Sequence, residues 1–166
     1  MAHHEHDHDH EHDHEDEFED ELDELDEQEL AEKREHALRR QVALSQVRQY
    51  GDAVLRMRAN EVETFDEELA RLAERMIGLM HDADGIGLAA TQVGILRRLF
   101  VFNDDGEDRV IVNPSITRTG EPQTDEEGCL SLGPVRVPVE RPLEVTIEGR
   151  DTAGEPLKLE LQGISA

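Results

Sequence analysis

Cysteine is nearly absent: the single one, Cys129, excludes an intrachain disulfide and fits a reducing cytosol. Long apolar runs are missing too. None approaches the ~20 residues of a membrane-spanning helix, and the acidic N-terminus has no apolar stretch of the kind a secretory signal carries. Positive charge is scarce, with 17 Lys and Arg against 41 Asp and Glu and a net charge of −24. That balance argues against nucleic acid or an anionic membrane surface as a partner. No internal repeat is visible. These absences describe a chain expected to be soluble and cytoplasmic, with no direct nucleic-acid partner and no membrane.

What is present divides unevenly. Residues 1–40 hold 18 Asp and Glu against 4 Lys and Arg, a net of −14, and the other 126 residues carry −10. A chain of 166 residues has room for one domain with a core plus an appendage. We therefore expect a disordered His/Asp/Glu-rich acidic arm over 1–40 and one domain over 41–166. From His3 to His14 the arm alternates histidine with Asp or Glu, and seven of the nine histidines lie there. Extended or coiled, this spacing can collect Ni, Zn or Co ions through imidazole nitrogens. The neighbouring carboxylates favour imidazolium, which competes with metal. A solvated arm without fixed role, a metal-collecting segment and a designed tag all stay open. Leu22, Leu25 and Leu30 punctuate the charged stretch that follows, which could form a weak, thinly striped helix running toward Leu38, Val42 and Val47.

The domain begins with a turn at Tyr50-Gly51-Asp52. Thr64-Phe-Asp-Glu67 has the Thr-x-x-Glu spacing of a capping box. Beyond it, Leu69, Leu72, Ala73, Met76, Leu79 and Met80 keep helical periodicity to about His81. His81 complements the dipole at that end and reads as structural. After Gln92 the pattern becomes that of strands. Arg97–Phe102 and Arg109–Val112 flank a turn-like Asp104–Asp108. Val135–Val137, Leu143–Ile147 and Leu157–Leu161 alternate apolar with polar residues, with a second hairpin turn at Asp151–Gly154. Pro114, Pro138 and Pro142 should keep these strands short or at edges. The expected class is α+β: one helix followed by short, mostly antiparallel strands.

Two segments carry the chemistry. Gly85-Ile-Gly-Leu-Ala-Ala90 fits the outline of a dinucleotide fingerprint, but that motif needs a strand before it and a helix after it. Here a helix precedes and strands follow, so the nucleotide reading is excluded. Glycines leaving a helix can instead let the backbone approach a ligand closely. Cys129 alone reads as a small buried thiol, and Gln92 alone as a polar residue at a strand entrance. Together, Gly85-Ile-Gly-Leu-Ala-Ala-Thr-Gln92 and Glu127-Gly-Cys-Leu-Ser131 resemble the first two signature motifs of the peptide deformylases. Gly51-Asp-Ala-Val-Leu-Arg56, Gln92-Val-Gly94, Asn113-Pro114 and Val139-Glu-Arg-Pro142 resemble the same family in the same order, over roughly residues 48–166.

That resemblance implies a metal-dependent hydrolase that removes the formyl group from N-formylmethionyl peptides, on nascent chains at the ribosome. It implies Cys129 as a thiolate ligand to a divalent metal, Fe(II) with Ni or Zn as substitutes. It gives the Gln92 side-chain amide and the Leu130 backbone N–H to the formyl oxygen, a pair of donors worth roughly 3–4 kcal/mol each in the best cases. Backbone around Ile86-Gly87 and Gly128 is implied to hold the peptide as an added strand, with Arg136 beside it. In two respects the chain departs from the family. Leu132-Gly133-Pro134 stands where the family commonly has Pro before Gly. The third motif, a helical His-Glu-x-x-His, does not occur in these 166 residues. By resemblance the domain is then deformylase-like, missing the C-terminal metal-binding helix, C-terminally truncated and incomplete for catalysis, with an apolar patch left uncovered. The alternatives are a catalytically dead relic that still binds peptides, and a metal-binding protein acting through its arm. The oligomeric state is left open.

Overall fold

The computed structural model describes residues 27–163. The histidine-rich stretch, Leu22 and Leu25 lie outside the described residues. Helix α1 spans Glu27–Ser45. It is built from Glu, Gln, Leu, Ala, Lys and Arg, all strong helix formers, and this propensity makes up for the thin apolar stripe. The thinly striped helix that the sequence allowed toward Leu38 and Val42 is thus formed, a second α-helix beside the one expected in the domain. It takes in part of the stretch expected to be a disordered arm. The buried positions also differ from expectation. Ala43 and Val47 pack into the core, whereas Leu38 and Val42 stay 60% and 55% exposed. The chain divides between Ala37 and Leu38 into two units, and the second, Leu38–Ala166, carries all that follows.

A short 3-10 helix at Ala53–Arg56 follows the turn at Tyr50-Gly51. Helix α2, Glu67–Asp82, buries all six residues of the predicted stripe: Leu69, Leu72, Ala73, Met76, Leu79 and Met80. Its cap is not the predicted one. Asp66, not Thr64, occupies the N-cap, and its carboxylate accepts from the Leu69 N–H at 3.0 Å. An aspartate adjacent to the first turn meets both the free amides and the positive end of the dipole. Asp66→Ala should therefore cost about 1 kcal/mol in urea unfolding, while Thr64→Ala should stay within about 0.5 kcal/mol of wild type. Equal losses would reinstate the capping box.

Seven strands follow: β1 Gly87–Ala89, β2 Leu99–Asp104, β3 Glu107–Thr119, β4 Pro122–Gly128, β5 Arg136–Pro142, β6 Glu144–Arg150 and β7 Pro156–Gln162. Five form an antiparallel sheet in the order β1-β2-β3-β6-β7, and β4-β5 is a separate ribbon. The β2–β3 turn has Asp105 and Gly106 at φ 49° and 90°, as a two-residue hairpin of right-handed twist requires. Two strands escaped the sequence pattern. β1 is only three residues long, and β4 (Pro-Gln-Thr-Asp-Glu-Glu-Gly) is exposed or half-buried throughout, so neither shows an apolar alternation. Pro114 does not shorten its strand either. It lies within the 13 residues of β3, where the register with β6 shifts between Val112 and Ser115, a bulge that absorbs the missing donor.

Helix α2 lies over β1 and β2. Leu69, Met76, Leu79 and Met80 meet Leu88, Val101 and Val112 in the main core. A second cluster of Phe102, Ile111, Val145, Ile147 and Leu161 fills the β3–β6–β7 side. This seats the first motif directly at the end of α2, with β1 as a sheet edge. No described helix is long and apolar enough to cross a membrane.

Candidate active site around Gln92 and Cys129

The first motif leaves α2 through Gly85, whose N–H donates to the Met80 carbonyl at 2.8 Å. A Cβ on Gly85 would sit 2.8 Å from Leu130 Cδ1 and 3.3 Å from that same carbonyl. Glycine here lets the first motif press against the second. Ile86 stands 58% exposed, and its carbonyl accepts from the Asn103 N–H at 2.9 Å. Gly87 pairs with Phe102, which leaves the other side of β1 as the edge of the sheet.

Gln92 is not at a strand entrance. It lies in a 3-10 helix, Ala90–Val93, closed by Gly94. Its Oε1 accepts from the Ala89 N–H at 2.9 Å, which fixes which end of the amide is which. Nε2 consequently points at the second motif, 3.1 Å from Ser131 Oγ and 3.7 Å from Cys129 Sγ. Cys129 is half-buried and Ser131 is buried.

The second motif leaves β4 at Gly128 and enters a turn. The Leu132 N–H donates to the Cys129 carbonyl at 2.9 Å, with Leu130 and Ser131 between them. The Leu130 N–H meets no acceptor among the described residues. A half-buried backbone donor in that condition is prepared for an outside acceptor. Gly133 adopts φ 65° just before Pro134, so the exchanged Gly-Pro order puts glycine where the left-handed conformation is needed.

Gly128 faces Arg136 across the ribbon, and the Arg136 guanidinium folds back to donate to the Glu126 carbonyl at 2.8 Å. The structure therefore joins Gln92, Cys129 and Leu130 into one locus. Ile86 and Gly87 belong to the large sheet, while Gly128 and Arg136 belong to the ribbon. His81 pairs with Asp108 at 2.8 Å, in keeping with a structural role. Sequence reasoning gave Ser131 and Gln49 no role. Ser131 takes a Gln92 hydrogen, and Gln49 Nε2 reaches the Leu130 carbonyl at 3.1 Å. Ser131 stood in the motif and could have been found; Gln49, 81 positions away, gave no signal.

Glu127, which opens the second motif, takes two hydrogen bonds from Arg141 at 3.0 and 3.1 Å. Those bonds outweigh the opposing effect of burial and, with a lesser contribution from the guanidinium charge, hold its carboxyl below the ordinary glutamate range. A depressed carboxyl stabilises the fold above its unfolded value, about 4.3, and loses that contribution as pH falls through the lower folded value. Wild type should thus melt above Glu127→Gln at neutral pH, by the small margin of an exposed pair, and the two curves should converge in acid. Parallel curves across the range would refute the coupling.

As a metal site the described residues are incomplete. Cys129 brings one thiolate, and no three of His, Cys, Asp and Glu come together among the described residues. Catalytic divalent centres take about three protein ligands and an open position, so the donor set present does not fit one.

The family model for polypeptide deformylase matches residues 44–166. The chain belongs to the peptide deformylase family. A deformylase of Clostridium botulinum is 46% identical over 125 residues, covering 75% of this chain and 85% of that one. One from Thermotoga maritima is 43% identical over 122 residues, 72% of this chain and 74% of its own. Among solved structures, the Thermotoga maritima deformylase aligns with a TM-score of 0.69 at 42% identity, over 70% of this chain and 80% of that one. Arabidopsis thaliana peptide deformylase 1B, in complex with an inhibitor, aligns at 0.70 and 36% identity, over 73% and 70%. The α+β deformylase fold and family read from the two motifs therefore stand. Deformylases are metal-dependent hydrolases acting on N-formylmethionyl peptides.

Proposed function

We propose that this deformylase presents the Gln92 amide and the Leu130 N–H to the formyl oxygen of an N-formylmethionyl peptide. One observation carries this reading: the Ala89 N–H turns the Gln92 amide so that its N–H2 faces Cys129 and the turn bearing the unpaired Leu130 N–H. Two such donors, held before the ligand arrives, favour an oxygen that gains negative charge. The open edge of β1 at Ile86-Gly87 accepts the peptide backbone as a further strand, with Gly128 and Arg136 also meeting the peptide by resemblance to the family. Cys129 is the thiolate that the family directs to a divalent metal, Fe(II) by resemblance, with Ni or Zn as substitutes. The residues present bind and orient the formyl group, and no step through the metal is derived from them. A formylated N-terminus is a feature of newly made chains, which supports nascent chains at the ribosome as the partner and the cytoplasm as the location.

Calorimetric titration of the full chain with formyl-Met-Ala-Ser and with unformylated Met-Ala-Ser tests the reading. A preference of about fivefold or more for the formylated peptide is expected, since one hydrogen bond in a half-buried site is worth roughly 1 kcal/mol or more. Equal affinities would overturn it.

A further inference from the structure

Three consecutive residues ahead of the domain's first turn grip both motifs at once. The Arg48 N–H donates to the Gln92 carbonyl at 2.7 Å, and the Tyr50 N–H donates to the Ser131 carbonyl at 2.8 Å. Between them, Gln49 Nε2 donates to the Leu130 carbonyl at 3.1 Å and to the Val47 carbonyl at 3.1 Å. We propose that Gln49 is a positioning residue for the formyl site, holding the Cys129–Leu132 turn so that the Leu130 N–H and the Gln92 amide converge. This inference rests on the formyl-binding reading above.

The reason lies in how few other ties fix that convergence. Gln92 follows a strand of the large sheet and Leu130 follows a strand of the separate ribbon, so no common ladder sets their register. Among the described residues the direct hydrogen bonds between the motifs come from the Gln92 amide itself, one to Ser131 Oγ and a long one to Cys129 Sγ, beside the undirected packing of Leu130 on Gly85. That amide is also the group that must give a hydrogen to an incoming oxygen. If it alone held the loops in register, ligand binding would weaken the alignment it depends on. The Arg48–Tyr50 strut supplies ties that binding does not consume.

Within the turn, the Leu132 N–H fixes the peptide between Cys129 and Leu130. The central peptide, between Leu130 and Ser131, is the unit whose rotation distinguishes the common turn forms. Gln49 holds its carbonyl. Freed, that peptide could rotate, carry the Ser131 hydroxyl away from Gln92 and loosen the amide.

The test compares Gln49→Met, which keeps the length and loses the donor, with Gln49→Lys, which supplies a donor again. In 15N spectra of the free full-length proteins, Gln49→Met should displace the Leu130, Ser131 and Gln92 side-chain amide signals, and Gln49→Lys should bring them back toward wild type. Calorimetry should show the preference for formyl-Met-Ala-Ser over Met-Ala-Ser falling about fivefold in Gln49→Met, the loss of roughly one hydrogen bond's discrimination, and recovering in Gln49→Lys. A Gln49→Met protein that keeps the wild-type preference, or leaves those signals in place, overturns the assignment. Should wild type itself show no preference, the formyl reading fails while the free-protein spectra still decide whether Gln49 holds the turn.

Discussion

Replacing Gln92 with leucine is expected to erase most of the chain's preference for formylated over unformylated peptides, by roughly 5- to 150-fold. The range follows from leaving a half-buried oxygen without its donor, about 1–3 kcal/mol. Leucine keeps nearly the volume of glutamine, so the loss reports hydrogen bonding rather than a cavity. Three internal bonds go with it, from the Ala89 N–H to Oε1, from Nε2 to Ser131 Oγ, and the long one from Nε2 to Cys129 Sγ. Competition titration with the two peptides is the measurement. If the variant retains its discrimination, recognition of the formyl group resides elsewhere.

Met80→Ala is expected to have the largest effect on stability, about 2–5 kcal/mol. Met80 is 0% exposed at the end of α2, packed in the cluster that includes Leu88 and Val101. Its carbonyl also receives the Gly85 N–H as the chain enters the first motif. Truncation opens a cavity between helix and sheet and loosens the base of that motif together. Against a typical total of about 5–15 kcal/mol, such a loss would bring the domain close to its stability limit. Urea unfolding should show a lower midpoint with an unchanged slope. A midpoint shift below that of Asp66→Ala would contradict the placement of Met80 in the core.

Much of this molecule was legible before its structure. The period of Leu69 to Met80 predicted α2 because one buried face of a helix writes itself into the sequence. The alternating runs at β6 and β7 did so for strands with one apolar side, and the continuous apolar run did so for β2. β4 was not legible because Pro-Gln-Thr-Asp-Glu-Glu-Gly has no apolar side chains at alternate positions to mark a buried face. The cap lies at Asp66 and not at Thr64, because both residue types can cap and the sequence pattern alone does not say which of them meets the first free amides. Helix α1 was visible only faintly, since propensity rather than burial supports it.

The site was legible in part. The two motifs singled out Gln92, Cys129 and Leu130, and the structure sets the Gln92 amide 3.7 Å from Cys129 Sγ and 3.1 Å from Ser131 Oγ, on either side of Leu130 in the chain. What pairs with them was not readable. The Ala89 N–H that orients Gln92 is a backbone group, and Gln49 meets Leu130 only after the chain has folded. Contacts across 81 positions leave no periodic trace in one sequence.

The most direct test of the formyl site is a titration of the 15N-labelled full chain with formyl-Met-Ala-Ser, repeated with Met-Ala-Ser. The account predicts that the formylated peptide moves the Gln92 side-chain amide and the Leu130 backbone amide together, and that the unformylated one leaves both nearly still. Both peptides moving those two signals alike, or neither moving them, would contradict it.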